Sequence, residues 1–393
     1  MTPLTLIRSA AALMCSCLFP SAAWAAEAPR APAPLRAAVD AAIRPLMAEH
    51  DVPGMAVAVT ANGQSWFFNY GLASREQATA VSENTLFELG SISKTFTATL
   101  AGYAQEQGQL SLADHPGKYL PQLRGSALDK ASLLHLATYS AGGLPLQLPE
   151  GVSDLDGAMR YLRDWKPDAA PGTVRRYSNP SIGLFGHIAA RSMKSDFAGA
   201  AEEVLFPQLG LQHTWVHVPQ AAEADYAWGY NRANQPVRVN PGVFDAEAYG
   251  VKSSAADMIR YVQANIDPRR LAGPMRRAVE ATHAGHFEVG AMTQGLGWEQ
   301  YPYPVTLERL LAGNAQGIIM DANPARQLAS RQAPTGPLLF NKTGSTGGFG
   351  GYVLFVPSKK IGIVLLANRN YPIPARVKAA YAILAQLAPA RSR

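Results

Sequence analysis

The predicted secondary structure places β-strands near both ends of the chain and helices between them. The runs 55–60 and 65–70 are typical of strands, and Asn62-Gly63 between them favours a tight hairpin because both residue types tolerate a positive φ. Residues 352–356 and 361–367 predict a second hairpin close to the C-terminus. We therefore expect one antiparallel sheet that is assembled from the two ends of the chain.

The middle of the chain has a different pattern. From residue 95 to about residue 210, most apolar residues follow helical spacing, with breaks at Pro- and Gly-containing loops. A short extended lead-in is predicted at 27–34, a helix follows it, and a last helix is predicted at about 374–387. The expected fold class is α+β, with an antiparallel sheet from the N- and C-terminal segments, flanking helices and an all-helical insertion.

Composition excludes several classes of function. The 393 residues are 48% hydrophobic and only 16% charged, so the chain can bury a large core and is not expected to be disordered. The net charge is +6, but the basic residues are scattered in runs of at most two and no groove-reading motif is present, so nucleic-acid binding is not expected. A mildly basic surface does favour anionic substrates.

The N-terminus has the pattern of a secretory signal peptide over residues 1–26. Arg8 supplies the positive charge, residues 10–19 are apolar, and Ala23-Trp24-Ala25 is a small-x-small cleavage pattern. The apolar run is too short for a membrane span. Both cysteines fall in this segment and neither follows a lipoprotein pattern, so the processed chain is expected to be cysteine-free and not membrane-bound. These features predict export to the periplasm.

Ser91 and Lys94 form the first candidate catalytic pair. A serine and a lysine three residues apart lie on one helical face, with Cβ atoms about 5–6 Å from each other. The amine is then close enough to assist the hydroxyl, which is a poor nucleophile without a neighbouring base. Gly90 permits a sharp turn into the helix, and a helix N-terminus offers backbone N–H groups to an oxyanion.

Two further motifs follow in the order that a known family shows. Tyr177-Ser178-Asn179 occupies the middle position, and Lys342-Thr343-Gly344 comes near the end. S-x-x-K followed by K-T-G is found in serine β-lactamases and penicillin-binding proteins. Because Y-x-N replaces S-D-N, the chain resembles the class C β-lactamases, the cephalosporinase type. The resemblance includes the segments 133–147, 245–253 and 366–372 and extends over about residues 30–388.

The resemblance implies an active site in a cleft between two lobes of a catalytic domain at 27–390. The sheet lobe would comprise about 27–105 and 252–390, and the mainly helical lobe about 106–251. The implied catalytic residues are Ser91 as nucleophile, Lys94 and Tyr177 as candidate bases, and Lys342. The implied substrate-binding residues are Gln147, Asn179, Tyr249, Thr343, Gly344, Ser345, Asn370 and Arg376.

One position departs from the family pattern. Many class C members have an asparagine three residues after the position of Asn370, whereas this chain has Ile373. An isoleucine cannot donate a hydrogen bond to a substrate carboxylate, so the contact that the asparagine would make is not expected here.

The predicted function is hydrolysis of cephalosporins and penicillins, which would confer resistance to them, by a monomer that needs no cofactor. A DD-peptidase or esterase on the same scaffold shares the nucleophile and its lysine. A β-lactam sensor would be acylated without turnover, but such proteins pass their signal through a membrane span. Zinc catalysis is not expected because the eight histidines include no H-x-H-x-D or H-E-x-x-H motif. An α/β-hydrolase is not expected either, because no G-x-S-x-G motif surrounds Ser91.

Overall fold

A computed structural model describes residues 30–332 and 336–388. The predicted signal peptide and both cysteines lie outside the described residues. Within them, the strands are β1 (Gly54–Ala61), β2 (Gln64–Ser74), β3 (Thr79–Ala80), β4 (Phe87–Glu88), β5 (Val174–Arg176), β6 (Thr214–Trp215), β7 (Gly229–Tyr230), β8 (Pro236–Val237), β9 (Lys252–Ser253), β10 (Gly285–Val289), β11 (Met292–Gln294), β12 (Glu299–Pro302), β13 (Ala322–Pro324), β14 (Arg326–Gln332), β15 (Leu338–Ser345), β16 (Gly350–Val356) and β17 (Ile361–Ala367).

The helices surround and interrupt these strands. They are α1 (Ala33–Glu49), α2 (Ser93–Glu106), α3 (Pro116–Tyr119), α4 (Leu133–Ala137), α5 (Leu155–Asp164), α6 (Asn179–Ser192), α7 (Phe197–Gly199), α8 (Phe206–Gln208), α9 (Asp245–Ala248), α10 (Ala255–Ile266), α11 (Gly273–Thr282), α12 (Leu307–Gly313), α13 (Gln316–Met320) and α14 (Ile373–Leu387). None of these helices is long and apolar enough to cross a membrane.

A large antiparallel sheet joins the two ends of the chain, as the sequence predicted. Its strand order is β14-β10-β11-β12-β15-β16-β17-β1-β2-β3. The N-terminal hairpin β1–β2 pairs with the C-terminal hairpin β16–β17 through β1, where Met55 lies opposite Ala367. Asn62 and Gly63 have φ values of 52° and 85°, which is the backbone that a two-residue hairpin turn requires.

Both faces of the sheet are covered by helices, so its central strands are apolar on both sides. Val57 and Val59 of β1 pack on one face with residues of α1 and α14. Ala56 and Ala58 point to the other face, where they join a core that contains residues of α2, α10 and α11. A third apolar core lies in the mainly helical middle of the chain and includes residues of α4 and α6. Helix α2 contributes to both of the last two cores and so carries its N-terminus to their boundary.

The middle of the chain is mainly but not entirely helical. The short strands β5 to β9 lie within residues 174–253, and the all-helical insertion of the sequence prediction did not include them. Strands β10, β11, β12 and β14 extend the large sheet on one side and were likewise not assigned from the sequence. They are three to seven residues long, and such short segments carry little periodic signal.

Candidate active site

Ser91 lies in a tight turn that is held against the end of strand β15. The turn is a 3₁₀ segment, Gly90–Ile92, that leads directly into α2. Gly90 has a φ of 53°, and a Cβ there would lie 2.4 Å from the backbone nitrogen of Ser345. Only glycine allows this backbone-to-backbone approach. The close approach brings the backbone of the Ser91 turn against that of Ser345. The backbone N–H groups of Ser91 and Ser345 are therefore the candidates for an oxyanion hole.

Lys94 is fully buried and points at Ser91. Its Nζ donates to Ser91 Oγ at 2.9 Å and to the carbonyl oxygen of Ala248 at 2.6 Å. Burial lowers the pKa of Lys94 to about 8, since little water remains to solvate the ammonium. A lysine with such a pKa can both donate and accept a proton near neutral pH.

Tyr177 is positioned between two ammonium groups. The centre of its ring lies 5.1 Å from Lys94 Nζ and 5.2 Å from Lys342 Nζ. Burial alone would raise the pKa of this phenol, but the charges of Lys342 and Lys94 outweigh burial and lower it to about 8. Its hydroxyl is buried and accepts or donates no hydrogen bond within the described residues. Because Tyr177 and Lys94 each shift the pKa of the other, the two form a pair of groups that can exchange a proton.

Lys342, Thr343, Gly344 and Ser345 form the last part of β15, which borders the cleft. Strand β15 as a whole is an interior strand of the sheet, because β12 and β16 flank it. Pairing with β12 ends where Glu299 lies opposite Asn341, so these four residues have a strand partner only on the β16 side. The free side of the strand end therefore borders the cavity that Ser91 lines.

That cavity has a volume of about 150 Å³. Its lining comprises Ser91, Leu146, Tyr177, Asn179, Glu299, Gly313, Asn314, Ile318, Ile319, Lys342, Thr343, Gly344, Ser345 and Ile373. Three of the four predicted catalytic residues therefore line the cavity, namely Ser91, Tyr177 and Lys342. The fourth, Lys94, is buried behind them and contacts Ser91 through a hydrogen bond. Ile373, the position that departs from the family pattern, is half-buried in this lining.

Three predicted binding residues surround a neighbouring cavity of about 160 Å³. Gln147, Asn179 and Tyr249 all line it, together with the loop residues Gly242 and Val243. Asn179 lines both cavities because it is the first residue of α6, directly after Tyr177-Ser178. Its Oδ1 is buried and makes no hydrogen bond within the described residues, so it is available to a ligand donor.

Arg376 does not fit the direct substrate contact that the resemblance implied. The side chain is fully buried, and burial leaves no surface for a ligand. Its donors instead reach Gly344 O at 2.6 Å, Ser345 Oγ at 3.0 Å, Gly351 O at 3.3 Å, Tyr371 O at 3.0 Å and Asn370 Oδ1 at 2.7 Å. The guanidinium therefore stabilises the end of β15 and also holds the side chain of the exposed Asn370.

Three buried polar side chains beside the catalytic residues were missed by the sequence prediction. Glu299 Oε1 lies 3.4 Å from Lys342 Nζ and 3.9 Å from Arg175 Nη2. Asn341 Nδ2 donates to Glu299 Oε2 at 3.3 Å. Asn341 immediately precedes Lys342, and Arg175 comes two residues before Tyr177, so proximity to the motifs could have drawn attention to these two. Nothing in the local sequence marks Glu299.

Beyond this constellation, the part of the chain that the structure describes contains no group of three or more His, Cys, Asp or Glu side chains arranged to hold a metal ion.

A sequence model of the β-lactamase family matches residues 39–388, which is most of the chain. The chain belongs to this family. A β-lactamase from Pseudomonas fluorescens is 52% identical over 353 residues, which cover 90% of this chain and 99% of the relative. A β-lactamase from Lysobacter lactamgenus is 47% identical over 359 residues, which cover 90% and 93% of the two chains.

Solved structures extend the likeness to the fold. The β-lactamase/D-alanine carboxypeptidase from Pseudomonas syringae superposes with a TM-score of 0.87 at 50% identity, covering 89% of this chain and 98% of that one. A class C β-lactamase in complex with cefoxitin gives 0.86 at 48% identity, again with 89% and 98% coverage. The predicted family and the α+β fold of a class C β-lactamase are confirmed by these matches.

Proposed function

We propose that the protein hydrolyses the β-lactam amide of cephalosporins and penicillins through an acyl-enzyme at Ser91. The observation that carries the proposal is the 2.9 Å bond from Lys94 Nζ to Ser91 Oγ, with the ring of Tyr177 flanked by Lys94 and Lys342, in a chain of the β-lactamase family. This arrangement supplies a nucleophile and two groups that exchange protons near neutral pH.

Acylation begins when Ser91 Oγ attacks the β-lactam carbonyl carbon. In the active form of the enzyme, the Tyr177–Lys94 pair lacks one proton relative to its fully protonated state. The pair can therefore accept the hydroxyl proton of Ser91. The carbonyl oxygen becomes an oxyanion, and the backbone N–H groups of Ser91 and Ser345 stabilise it. When the C–N bond breaks, the lactam nitrogen takes the proton from the pair, and the carbonyl carbon remains esterified to Ser91.

Deacylation repeats the same proton transfers with water as the nucleophile. The Tyr177–Lys94 pair takes a proton from water as it attacks the ester carbon. The same pair then returns a proton to Ser91 Oγ as the C–O bond breaks, which regenerates the free enzyme. A chemical group that serves both steps needs a pKa near the working pH, and the pKa values of about 8 for Tyr177 and Lys94 meet that requirement.

Substrate recognition is assigned to the two cavities. Lys342 and Thr343 hold the substrate carboxylate, while Gly344 lets the end of β15 lie against the backbone of the turn that carries Ser91. Asn179 and Gln147 bond the amide of the substrate side chain, and Tyr249 packs against that side chain in the neighbouring cavity. Cefoxitin, bound in the class C structure that this chain resembles, is a β-lactam with both a carboxylate and a side-chain amide.

D-alanine carboxypeptidase activity is a second candidate. The Pseudomonas syringae structure has both activities in its name, and a D-alanine carboxypeptidase from Burkholderia cenocepacia has a TM-score of 0.85 at 50% identity, with 89% of this chain and 98% of that chain covered. A D-alanyl-D-alanine peptide presents the same amide and terminal carboxylate as a β-lactam. The proposed residues would act on it by the same steps, and a β-lactam assay beside a peptide assay distinguishes the two activities.

The remaining proposals concern the whole protein. We propose that residues 1–26 direct export to the periplasm, where a monomer of residues 27–390 confers β-lactam resistance. The proposed lobes are the sheet lobe at about 27–105 and 252–390 and the helical lobe at about 106–251. Expression of the full-length chain in a susceptible bacterium, with fractionation and N-terminal sequencing of the mature form, tests export and resistance together.

The test of the proposed activity uses the mature protein with cephalothin and the variant Ser91→Ala. Wild-type protein should hydrolyse many equivalents, whereas Ser91→Ala should lose turnover by about 10⁶-fold, as nucleophile removal does in a serine protease. Mass spectrometry with a slowly hydrolysed, bulky β-lactam should find the acyl group on the peptide that contains Ser91. A single stoichiometric burst by the wild type would contradict the deacylation half of the proposal.

A further inference from the structure

Arg175 is an unusual group to find beside a catalytic tyrosine. It lies in β5, two residues before Tyr177, and its side chain is only 1% exposed. An arginine is charged at all working pH values, and a buried charge requires partners. Its Nε donates to Gln294 Oε1 at 2.8 Å and its Nη1 to the carbonyl oxygen of Ile318 at 2.8 Å. Both acceptors are neutral.

The charge of Arg175 is directed at the catalytic groups. Its Nη2 makes no hydrogen bond within the described residues, and the nearby carboxylate oxygen, Glu299 Oε1, is 3.9 Å away. The same oxygen is 3.4 Å from Lys342 Nζ. One carboxylate is therefore shared by two cations, and Lys94 adds a third cation to the cluster. The cluster carries more positive than negative charge, and a phenolate at Tyr177 reduces that excess.

Arg175 also fixes the ring that would carry the phenolate. Its Cζ lies 5.4 Å from the centre of the Tyr177 ring and 5.2 Å from the centre of the Tyr139 ring. The two rings are themselves 4.7 Å apart and inclined at 44°. The tethers to Gln294 and Ile318 hold the guanidinium in place, so it constrains both rings at once.

We infer that Arg175 is a positioning residue for Tyr177: its tethered guanidinium holds the ring and shares Glu299 with Lys342, so that Lys342 keeps enough unpaired charge to favour the phenolate. The inference rests on the proposed function for its consequence in catalysis, but the protonation of Tyr177 can be measured without any substrate. The charges of Lys342 and Lys94 outweigh burial and lower the pKa of Tyr177 to about 8. The charged or titratable groups that face Tyr177 are Lys94, Tyr139, Arg175, Glu299 and Lys342.

The test compares Arg175→Gln, Arg175→Lys and the matched control Arg176→Gln. Arg176 is the next residue of the same strand, but it is partly exposed and pairs with Asp168 at 3.5 Å, away from the catalytic groups. Removal of a cation about 5 Å from a phenol raises the pH at which it ionises by about one pH unit. The acid limb of kcat/KM should move up by that amount in Arg175→Gln and stay in place in Arg176→Gln.

The size and the pH dependence of the loss of activity distinguish a positioning role of Arg175 from a role in stabilising the fold alone. A base that ionises one pH unit higher is about tenfold less populated below that range, so Arg175→Gln should be about tenfold slower than the wild type at pH 7 and within about twofold of it at pH 9. Arg175→Lys keeps the charge and should keep the acid limb of the wild type. A loss of equal size at every pH would mean that Arg175 only stabilises the fold and would overturn the inference, as would an acid limb that moves equally in Arg175→Lys.

Absorbance titration of tyrosinate, taken as the difference between each protein and its Tyr177→Phe counterpart, gives the readout that needs no activity. If the wild type hydrolyses no β-lactam, the proposed function fails, and a shifted titration in Arg175→Gln still supports the inference. An unshifted titration in an active enzyme overturns the inference alone. If Arg175→Gln does not fold, Gln294→Met is tested in its place, because this change removes the acceptor of Arg175 Nε and lets the guanidinium turn. A smaller upward shift of the acid limb of kcat/KM in Gln294→Met supports the inference, and an unshifted acid limb overturns it.

Discussion

Substitution of Gly344 by alanine should separate the strand end from the nucleophile turn. A Cβ at this position would lie 1.9 Å from the carbonyl oxygen of Leu89 and 3.0 Å from the backbone nitrogen of Ile92. Both atoms belong to the backbone around Ser91, so no side chain can rotate away to make room. To bring the first contact to an acceptable distance, the strand and the turn have to move apart by about 1 Å. Overpacking of this kind costs about 3 kcal/mol of stability.

The same movement has a calculable effect on turnover. A misplacement of about 1 Å between reacting groups can cost about 10²-fold in rate, and here it separates the amide of Ser345 from Ser91. We therefore expect Gly344→Ala to lower kcat for a cephalosporin about 10²-fold, while the protein still folds at 25 °C. Circular dichroism melting and steady-state kinetics at saturating substrate measure the two effects separately.

Gly347→Ala provides the matched control. Gly347 follows three residues later, is exposed, and an added Cβ would meet no atom within 4 Å. Its melting temperature and kcat should equal those of the wild type. If Gly344→Ala were as active as Gly347→Ala, the backbone contact between the strand end and the turn would not position the oxyanion hole, and the reasoning from the close approach would be refuted.

Three further predictions test other parts of the site and the fold. Tyr177→Phe should slow acylation and deacylation by about 10²–10⁴-fold in single-turnover kinetics, and unchanged rates would leave Lys94 as the base. Ile373→Asn adds a donor to the cavity and should tighten carboxylate inhibitors by about 1.5–3 kcal/mol in inhibition assays, unless desolvation of the new amide cancels the gain. Burial lowers the pKa of His283 to about 4 from 6.5, so the folded protein binds fewer protons than the unfolded chain between these two pH values. The free energy of unfolding, which is highest above pH 6.5, should therefore fall by about 3 kcal/mol by pH 4 in urea titrations, and His283→Gln should abolish this dependence.

The sheet was predictable where sequence patterns are local and strong. The hairpin β1–β2 was predicted from the Asn62-Gly63 turn, and the C-terminal hairpin from two apolar runs separated by four residues. Both were found with bounds that differ by at most four residues at any end, the largest difference being at Ser74. Strands β10 to β12 lack such signals because they are short and their burial is set by partners distant in sequence. Tertiary contacts decide their conformation, which a local pattern cannot report.

The catalytic centre was also predictable only in part from local sequence patterns. Ser91 and Lys94 are three residues apart on one turn, so helical geometry alone predicted the contact that the structure gives at 2.9 Å. Tyr177 and Lys342 lie 86 and 251 positions after Ser91 in the sequence. No local rule predicts contacts over such separations, so these two residues could be placed beside Ser91 only through the family resemblance. Arg376 was also carried over by resemblance, but the assumption of substrate contact failed because five protein acceptors already surround its guanidinium.

The groups that tune the site are the hardest to predict from a sequence. Glu299 affects Lys342 and, through it, Tyr177, yet its residue type and surroundings resemble those of an ordinary strand residue. Its influence depends on burial, which removes the water that would otherwise screen its charge, and burial is a property of the completed fold. The effect of Arg175 depends on burial in the same way, because its partners come from β11, β12 and α13. A motif can therefore identify which atoms react, whereas the charges that set their protonation become visible only when distant strands are packed together.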